Sequence, residues 1–354
     1  MESSAIFAAS YTNSVHLRSA VETASGTLSD QGLLLLLCNF GNRANLEEFT
    51  KEVRKSKLVA IEFLTRLEAN AQKLDWFDVV WGFRKCPADA NSQKSLTDNL
   101  GWFYMADTET FEMFAWIFGD NFISSGGKAM DLSFLDQLHL RSGQRLLDVG
   151  CGVGGSIFLA TETYGVEATG TEVGAGAVIL ALELAKGRLE ASATFVLGDV
   201  FTYDFGCQFD ALYSRDCIVF MADKRAFFQR AQHLVRPGGS MLVTCYTLGP
   251  NSGRHASELN DFQKRSGFIL ERTENLVEKA QLAGWKIKAI ENLDQKLISV
   301  YAADLGRLQS NGTEFERRFG KSAFDREVNS KCQRLSMAER GVYSWCFILA
   351  TKEE

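Results

Sequence analysis

The stretch Leu146–Gly155, LLDVGCGVGG, decides how this chain is read. Two leucines, an aspartate and a valine run directly into a turn with glycines at Gly150, Gly152, Gly154 and Gly155. A strand that ends in such a turn lets backbone N–H groups come close to a ligand, because no Cβ stands in the way. Twenty residues beyond Gly152, the segment ATGTEV places Glu172 at the tip of a second strand. An acid there can accept both hydroxyls of a ribose. Glycine turns are common, so the pattern gains weight from its company: Asp199 in VLGDVF and the turn RPGG at Arg236–Gly239.

Working outward, strand and helix patterns alternate from about residue 121 onward, as a doubly wound sheet requires. Strands are expected at Arg145–Val149, Glu167–Glu172, Thr194–Leu197, Phe209–Ser214, Ser240–Tyr246, Trp285–Asn292 and Val342–Ala350. Helices are expected at Gly155–Tyr164, Ala175–Glu190, Asp223–Leu234 and Thr273–Ala283. The pattern is α/β, with the seven-stranded, Rossmann-like sheet of class I S-adenosyl-L-methionine (SAM)-dependent methyltransferases. Between the last two strands, residues 293–341 form an insertion with helical patterns at Gln295–Gln309 and Glu314–Ala338. Its charges are mixed (Glu316, Arg317, Arg318, Lys321, Asp325, Arg326, Lys331, Arg334), which fits a solvated helical face or a lid over an anionic substrate.

Residues 1–98 are expected to be a smaller α/β unit, and residues 99–354 the methyltransferase domain. Gly32–Asn39, Leu58–Phe63 and Phe77–Phe83 read as strands and Leu46–Lys55 as a helix. No glycine turn precedes these strands and no acid follows at ribose spacing. The order strand–helix–strand–strand matches the back half of the same sheet, so a remnant without its own cofactor site is expected; an unrelated α+β domain is the alternative.

The 354 residues carry a net charge of -6, which argues against nucleic acid as the main partner, and the 46% hydrophobic content is enough for a sizeable core. No apolar run approaches ~18 residues, so no membrane span is expected. The opening MESSAIFAAS has neither a basic leader nor a long apolar core, so no signal peptide is expected. The 8 cysteines show no metal spacing, so no metal is expected; they fit reduced thiols in a cytoplasmic protein, which is taken to be a monomer.

WIFGDNFISSGGKAMDL (Trp116–Leu132), LLDVGCGVGG, LYSRD (Leu212–Asp216) and the closing FILATK (Phe347–Lys352) together resemble the phosphoethanolamine N-methyltransferases. The resemblance runs from Tyr104 to Lys352. Members of that family methylate the amine of phosphoethanolamine three times from SAM to give phosphocholine. In nematodes the work is divided, and one protein type has a cofactor-less N-terminal remnant before an active domain that performs the later methylations. The layout here is similar to that type.

The resemblance implies SAM contacts by Ser124, Asp148, Gly150, Glu172, Val173, Asp199, Val200 and Arg215, with Gly152 in the same turn. Asp148 would orient the turn or reach the methionyl amine. The resemblance also implies that Asp216 holds the substrate amine and Tyr246 the phosphate, with Arg265 and Lys331 as further substrate contacts. Where the family has a His, four residues after the SRD aspartate, this chain has Phe220. The family's partner Tyr falls on Ala106, with Tyr104 two residues away as a catalytic candidate. Two phosphate-contacting tyrosines fall on Phe262 and Phe268, and the Arg between them on Ser266. Phe220 cannot take a proton, although its ring can pack on a methylated amine. Asp216, Tyr104, Tyr213 and His255 are the candidates for that task; His233 reads as structural. Three functions therefore stay open: N-methylation of a phospho-base, methylation of a different small acceptor, and SAM binding with little catalysis.

Overall fold

The computed structural model describes residues 6–11, 33–40, 58–64, 68–70, 77–85, 108–119, 121–185 and 193–353. Tyr104, Ala106, the helix expected at Leu46–Lys55 and the end of the helix expected to reach Glu190 lie outside the described residues.

The large sheet begins with β6 (Arg145–Val149), β7 (Glu167–Glu172), β8 (Ala193–Leu197) and β9 (Phe209–Arg215). It continues with β10 (Val235–Leu248), β11 (Trp285–Asn292) and β12 (Tyr343–Lys352). Their order is β11-β12-β10-β9-β6-β7-β8. The five strands from β8 to β10 run parallel, and β12 lies antiparallel between β10 and β11. Parallel strands must be covered on both faces, which explains why Leu146, Leu147, Leu212, Leu242 and Val243 are all fully buried. An eighth strand, β4 (Glu68–Asn70), pairs antiparallel with the edge strand β8. The seven-stranded sheet expected from the sequence is thus present, with this short strand added.

A second sheet of four strands comprises β1 (Ile6–Tyr11), β2 (Leu33–Phe40), β3 (Leu58–Leu64) and β5 (Phe77–Lys85), in the order β1-β2-β5-β3. β1 and β2 are parallel, and β5 is antiparallel to both β2 and β3. β9-β10-β12-β11 in the large sheet has the same order and the same directions.

Helices α1 (Thr108–Phe118) and α2 (Gly127–Leu135) precede β6; α3 (Gly155–Tyr164) and α4 (Ala175–Ala185) follow β6 and β7. α5 (Lys224–Leu234) starts at Asp223, whose carboxylate accepts the Ala226 N–H as an N-cap. After β10 come α6 (Ala256–Ser266), a helix not expected from the sequence, and α7 (Thr273–Leu282). The insertion is three helices, α8 (Asp294–Ser310), α9 (Gly312–Phe319) and α10 (Lys321–Glu339). The single long helix expected from Glu314 is broken at Gly320, whose φ of 86° and ψ of 154° no helix contains.

Candidate active site

A cavity of about 340 Å³ opens at the C-terminal ends of β6, β7 and β9, where the strand order reverses. Open α/β sheets bind ligands at such a point. Two distinct groups of side chains meet on its wall.

The first group comes from the strand ends. Gly150 has a φ of 78°, and a Cβ there would lie 2.4 Å from Cys217 Sγ, so only glycine fits. Glu172 is buried; its Oε1 accepts the N–H groups of Val173 and Gly174 at 2.8 and 2.9 Å, and its Oε2 accepts that of Gly152 at 3.0 Å. Burial raises its pKa and the three N–H groups pull it back. Oε2 retains a lone pair, which can accept a hydroxyl of a vicinal diol. Asp199, raised by burial, accepts the Phe201 N–H, and Val173 and Val200 supply apolar wall beside it.

Ser124, Gly150, Glu172, Val173, Asp199, Val200 and Arg215 all line the cavity, as do Asp216, Tyr246, Arg265 and Lys331. Asp148 and Gly152 do not. The Gly152 N–H is spent on Glu172, and Asp148 lies behind the turn, 1% exposed, with Oδ2 unpartnered among the described residues. Burial and the nearby Asp131 and Glu172 hold the Asp148 pKa well above the usual carboxylate range.

Arg215 is occupied differently from the sequence expectation. Its guanidinium donates to the Gly127 and Ser125 carbonyls and pairs with fully buried Asp131 at 3.2 Å. Asp131 also accepts the Ser156 and Tyr213 hydroxyls. This hub ties the Ser124–Gly127 turn to β9 and α3, and no spacing rule in the sequence singles it out. It also uses up Tyr213, which is fully buried. His255 is half-exposed beside Arg340 and Glu258 and does not line the cavity.

The second group surrounds Asp216. Its Oδ1 accepts from Thr244 Oγ1 and Trp345 Nε1, both at 2.7 Å, whereas Oδ2 has no hydrogen-bond partner among the described residues. Burial raises its pKa against the pull of Arg215 and these two donors. Around it is an aromatic box. Tyr246 stacks on Phe268 at 5.3 Å, and Phe220 meets Phe268 edge-on at 5.2 Å. Arg334 lies over Phe262 and Phe268 at 5.3 and 5.2 Å, beside the Tyr246, Tyr301 and Tyr343 hydroxyls. Among the described residues no carboxylate pairs with it. Trp345, Thr244 and Tyr301 were not anticipated; their strands and helix carry them as ordinary apolar-pattern residues.

Residues 120–326 match the family model described as mycolic acid cyclopropane synthetase, which is more than half of the chain. The chain belongs to that family. Several of its curated relatives are named phosphoethanolamine N-methyltransferases. Phosphoethanolamine N-methyltransferase 1 of Triticum aestivum is 30% identical over 80% of this chain and 55% of its own length. Phosphoethanolamine N-methyltransferase 2 of Caenorhabditis elegans is 26% identical over 88% of this chain and 69% of its own. The chain thus spans about half the length of the wheat protein. Among solved structures, phosphoethanolamine N-methyltransferase 2 of Haemonchus contortus, in complex with phosphomonomethylethanolamine and S-adenosylhomocysteine, superposes with a TM-score of 0.78. It is 22% identical, over 99% of this chain and 85% of that one. The fold is that of the class I methyltransferases.

Proposed function

We propose that this chain is a SAM-dependent N-methyltransferase acting on phosphoethanolamine or its mono- and dimethyl forms. The observation that carries the reading is Asp216. It is a buried carboxylate with one oxygen fixed by Thr244 and Trp345 and the other without a hydrogen bond, 4.0 Å from Arg215 Nε, on a wall shared with a diol-type acid, Glu172, and with Arg334, which has no carboxylate partner among the described residues. An amine and an anion would occupy opposite ends of one ligand. The wheat, nematode and Haemonchus relatives, by name and by bound ligand, support the same chemistry.

The residues fit the cofactor. Glu172 keeps a free lone pair on Oε2 for a ribose hydroxyl, and Asp199 and Val200 flank the space beyond it. When bound, SAM supplies an electrophilic methyl group on a sulfonium. Asp216 would hold the acceptor amine through Oδ2 and bias it toward the attacking geometry. An unperturbed amine has a pKa of about 10, so roughly one molecule in a thousand is neutral at pH 7. Asp216, whose pKa burial raises, is the group placed to take that proton. Arg334 and Arg265 would hold the phosphate, with the Tyr246 hydroxyl. The rings of Phe220 and Phe268 offer faces to a methylated ammonium.

Replacement of polar groups by Phe220, Phe262 and Phe268 favours a second reading, a methyltransferase with a less polar small acceptor. Methyl transfer from labelled SAM separates the two, with phosphoethanolamine, its mono- and dimethyl forms and ethanolamine offered separately. Product from a phospho-base supports the first reading; SAM binding without such product overturns it. We also read residues 1–98 as a remnant of the same sheet; the shared strand order of its described strands supports this. A cytoplasmic monomer fits the free thiols, six of which lie among the described residues. No helix of the described residues is long and apolar enough to cross a membrane.

A further inference from the structure

The insertion helix α10 brings a second cation into the cavity, one turn before Arg334. We propose that Lys331 binds the α-carboxylate of the cofactor's methionine portion, so that one face of α10 holds cofactor and acceptor together. This rests on the SAM reading above.

Lys331 is 6% exposed and lines the cavity. Its Nζ lies 4.2 Å above the Phe118 ring centroid. Among the described residues it makes no hydrogen bond and no ion pair. A buried ammonium on an aromatic face is poorly compensated, and an arriving anion would complete it.

Its neighbours say which anion. Phe118 abuts the Ser124–Gly127 turn: a Cβ at Gly127 would lie 2.4 Å from the Phe118 carbonyl oxygen. Asp304 of α8 is held by the Ser125 side chain and the Gly126 N–H, and is also within electrostatic reach of Lys331. Lys331 therefore shares Phe118 and Asp304 with the Ser124–Gly127 turn, the wall against which the methionine portion would lie, whereas Arg334 sits over Phe262 and Phe268. Arg215, the other cation near that turn, is already committed to Asp131 and two carbonyls.

The charges facing Lys331 are Asp304, Glu327 and Arg334. Glu327 is shared with Arg326, and Asp304 is shared among Lys331, Arg307 and the turn; among the described residues neither carboxylate is in ion-pair contact with Lys331. Burial and Arg334 bring the ammonium down to about 8, and a bound carboxylate would keep it protonated.

The test compares equilibrium binding of S-adenosylhomocysteine and of 5′-methylthioadenosine to the full chain. The second ligand has the nucleoside and thioether but no amino-acid portion. Lys331→Met should weaken S-adenosylhomocysteine about tenfold or more and leave methylthioadenosine unchanged, as loss of a charge-assisted contact requires. Lys331→Arg should recover part of the affinity. Unchanged S-adenosylhomocysteine binding in Lys331→Met would overturn the assignment, and a parallel loss of phosphocholine binding would give Lys331 to the acceptor instead. Equal weakening of both nucleosides would make its role structural and also overturn the assignment. Failure of the unsubstituted chain to bind either nucleoside would instead sink the cofactor reading, and this assignment with it.

Discussion

Asp216 has a φ of 55°, in the left-handed region, where a side chain with a Cβ costs of order 1–3 kcal/mol. Asp and Asn tolerate it better than most residues. Asp216→Asn should therefore keep the fold and still accept from Thr244 and Trp345 through its carbonyl. It removes the charge and the proton acceptor, so kcat/KM on the phospho-base should fall by about 100-fold or more, while affinity for S-adenosylhomocysteine holds. Initial rates and a binding titration on the same preparation check this; full activity would remove Asp216 from the chemistry. Glu172→Ala acts twice. It removes the diol acceptor, weakening the nucleoside by about 1–3 kcal/mol, and strips the partner from three N–H groups, lowering the melting temperature. Unchanged affinity would refute the ribose role. Glu172 and Asp199 were legible as acids at strand ends beside the glycine turn, and Asp216 through the resemblance carried by LYSRD. Asp131 was not: in KAMDLSF it is one polar residue on a helix, and only the folded chain shows Arg215, Ser156 and Tyr213 converging on it.

At the scale of elements, β11 was read to the residue because Gly284 and Trp285 mark its start and Trp285, Ile287 and Ala289 alternate with Lys286 and Lys288. The insertion was less legible. Apolar spacing continues through RRFGKSAF, so periodicity alone runs α9 into α10, and it does not show which charges turn inward. Lys321 and Arg317 pair with Glu316 and Glu314 on the surface, whereas Lys331 and Arg334 reach the cavity. Burying Lys331 has a measurable cost. Its pKa is 10.5 in the unfolded chain and about 8 in the folded one, because of burial and Arg334. The unfolded state thus binds more protons between pH 8 and 10.5, and the penalty is full below that window and fades as pH rises through it. Without ligand, Lys331→Met should be more stable than the unsubstituted chain at pH 7, by at most about 3 kcal/mol. The difference should shrink toward pH 10. Urea unfolding at both pH values measures it, and a gap independent of pH would show that Lys331 titrates normally.

Across the whole molecule, two sheets share one plan at different completeness. In β1-β2-β5-β3 and in β9-β10-β12-β11 a parallel pair is followed by two antiparallel strands. Three of the smaller sheet's strands were legible as apolar runs; β1, with the mixed sequence IFAASY, was not. The large sheet continues through β6, β7 and β8, and those strands end in the glycine turn, Glu172 and Asp199. Among the described residues, every group placed to hold a nucleoside belongs to the half that has no counterpart in the four-stranded sheet. The remnant reading predicts a single cofactor per chain. Calorimetric titration of the full chain with S-adenosylhomocysteine should give a stoichiometry of about one, and Glu172→Ala should weaken the whole isotherm, not a fraction of it. A second site that survives Glu172→Ala would place nucleoside binding on the N-terminal sheet and overturn its reading as a remnant.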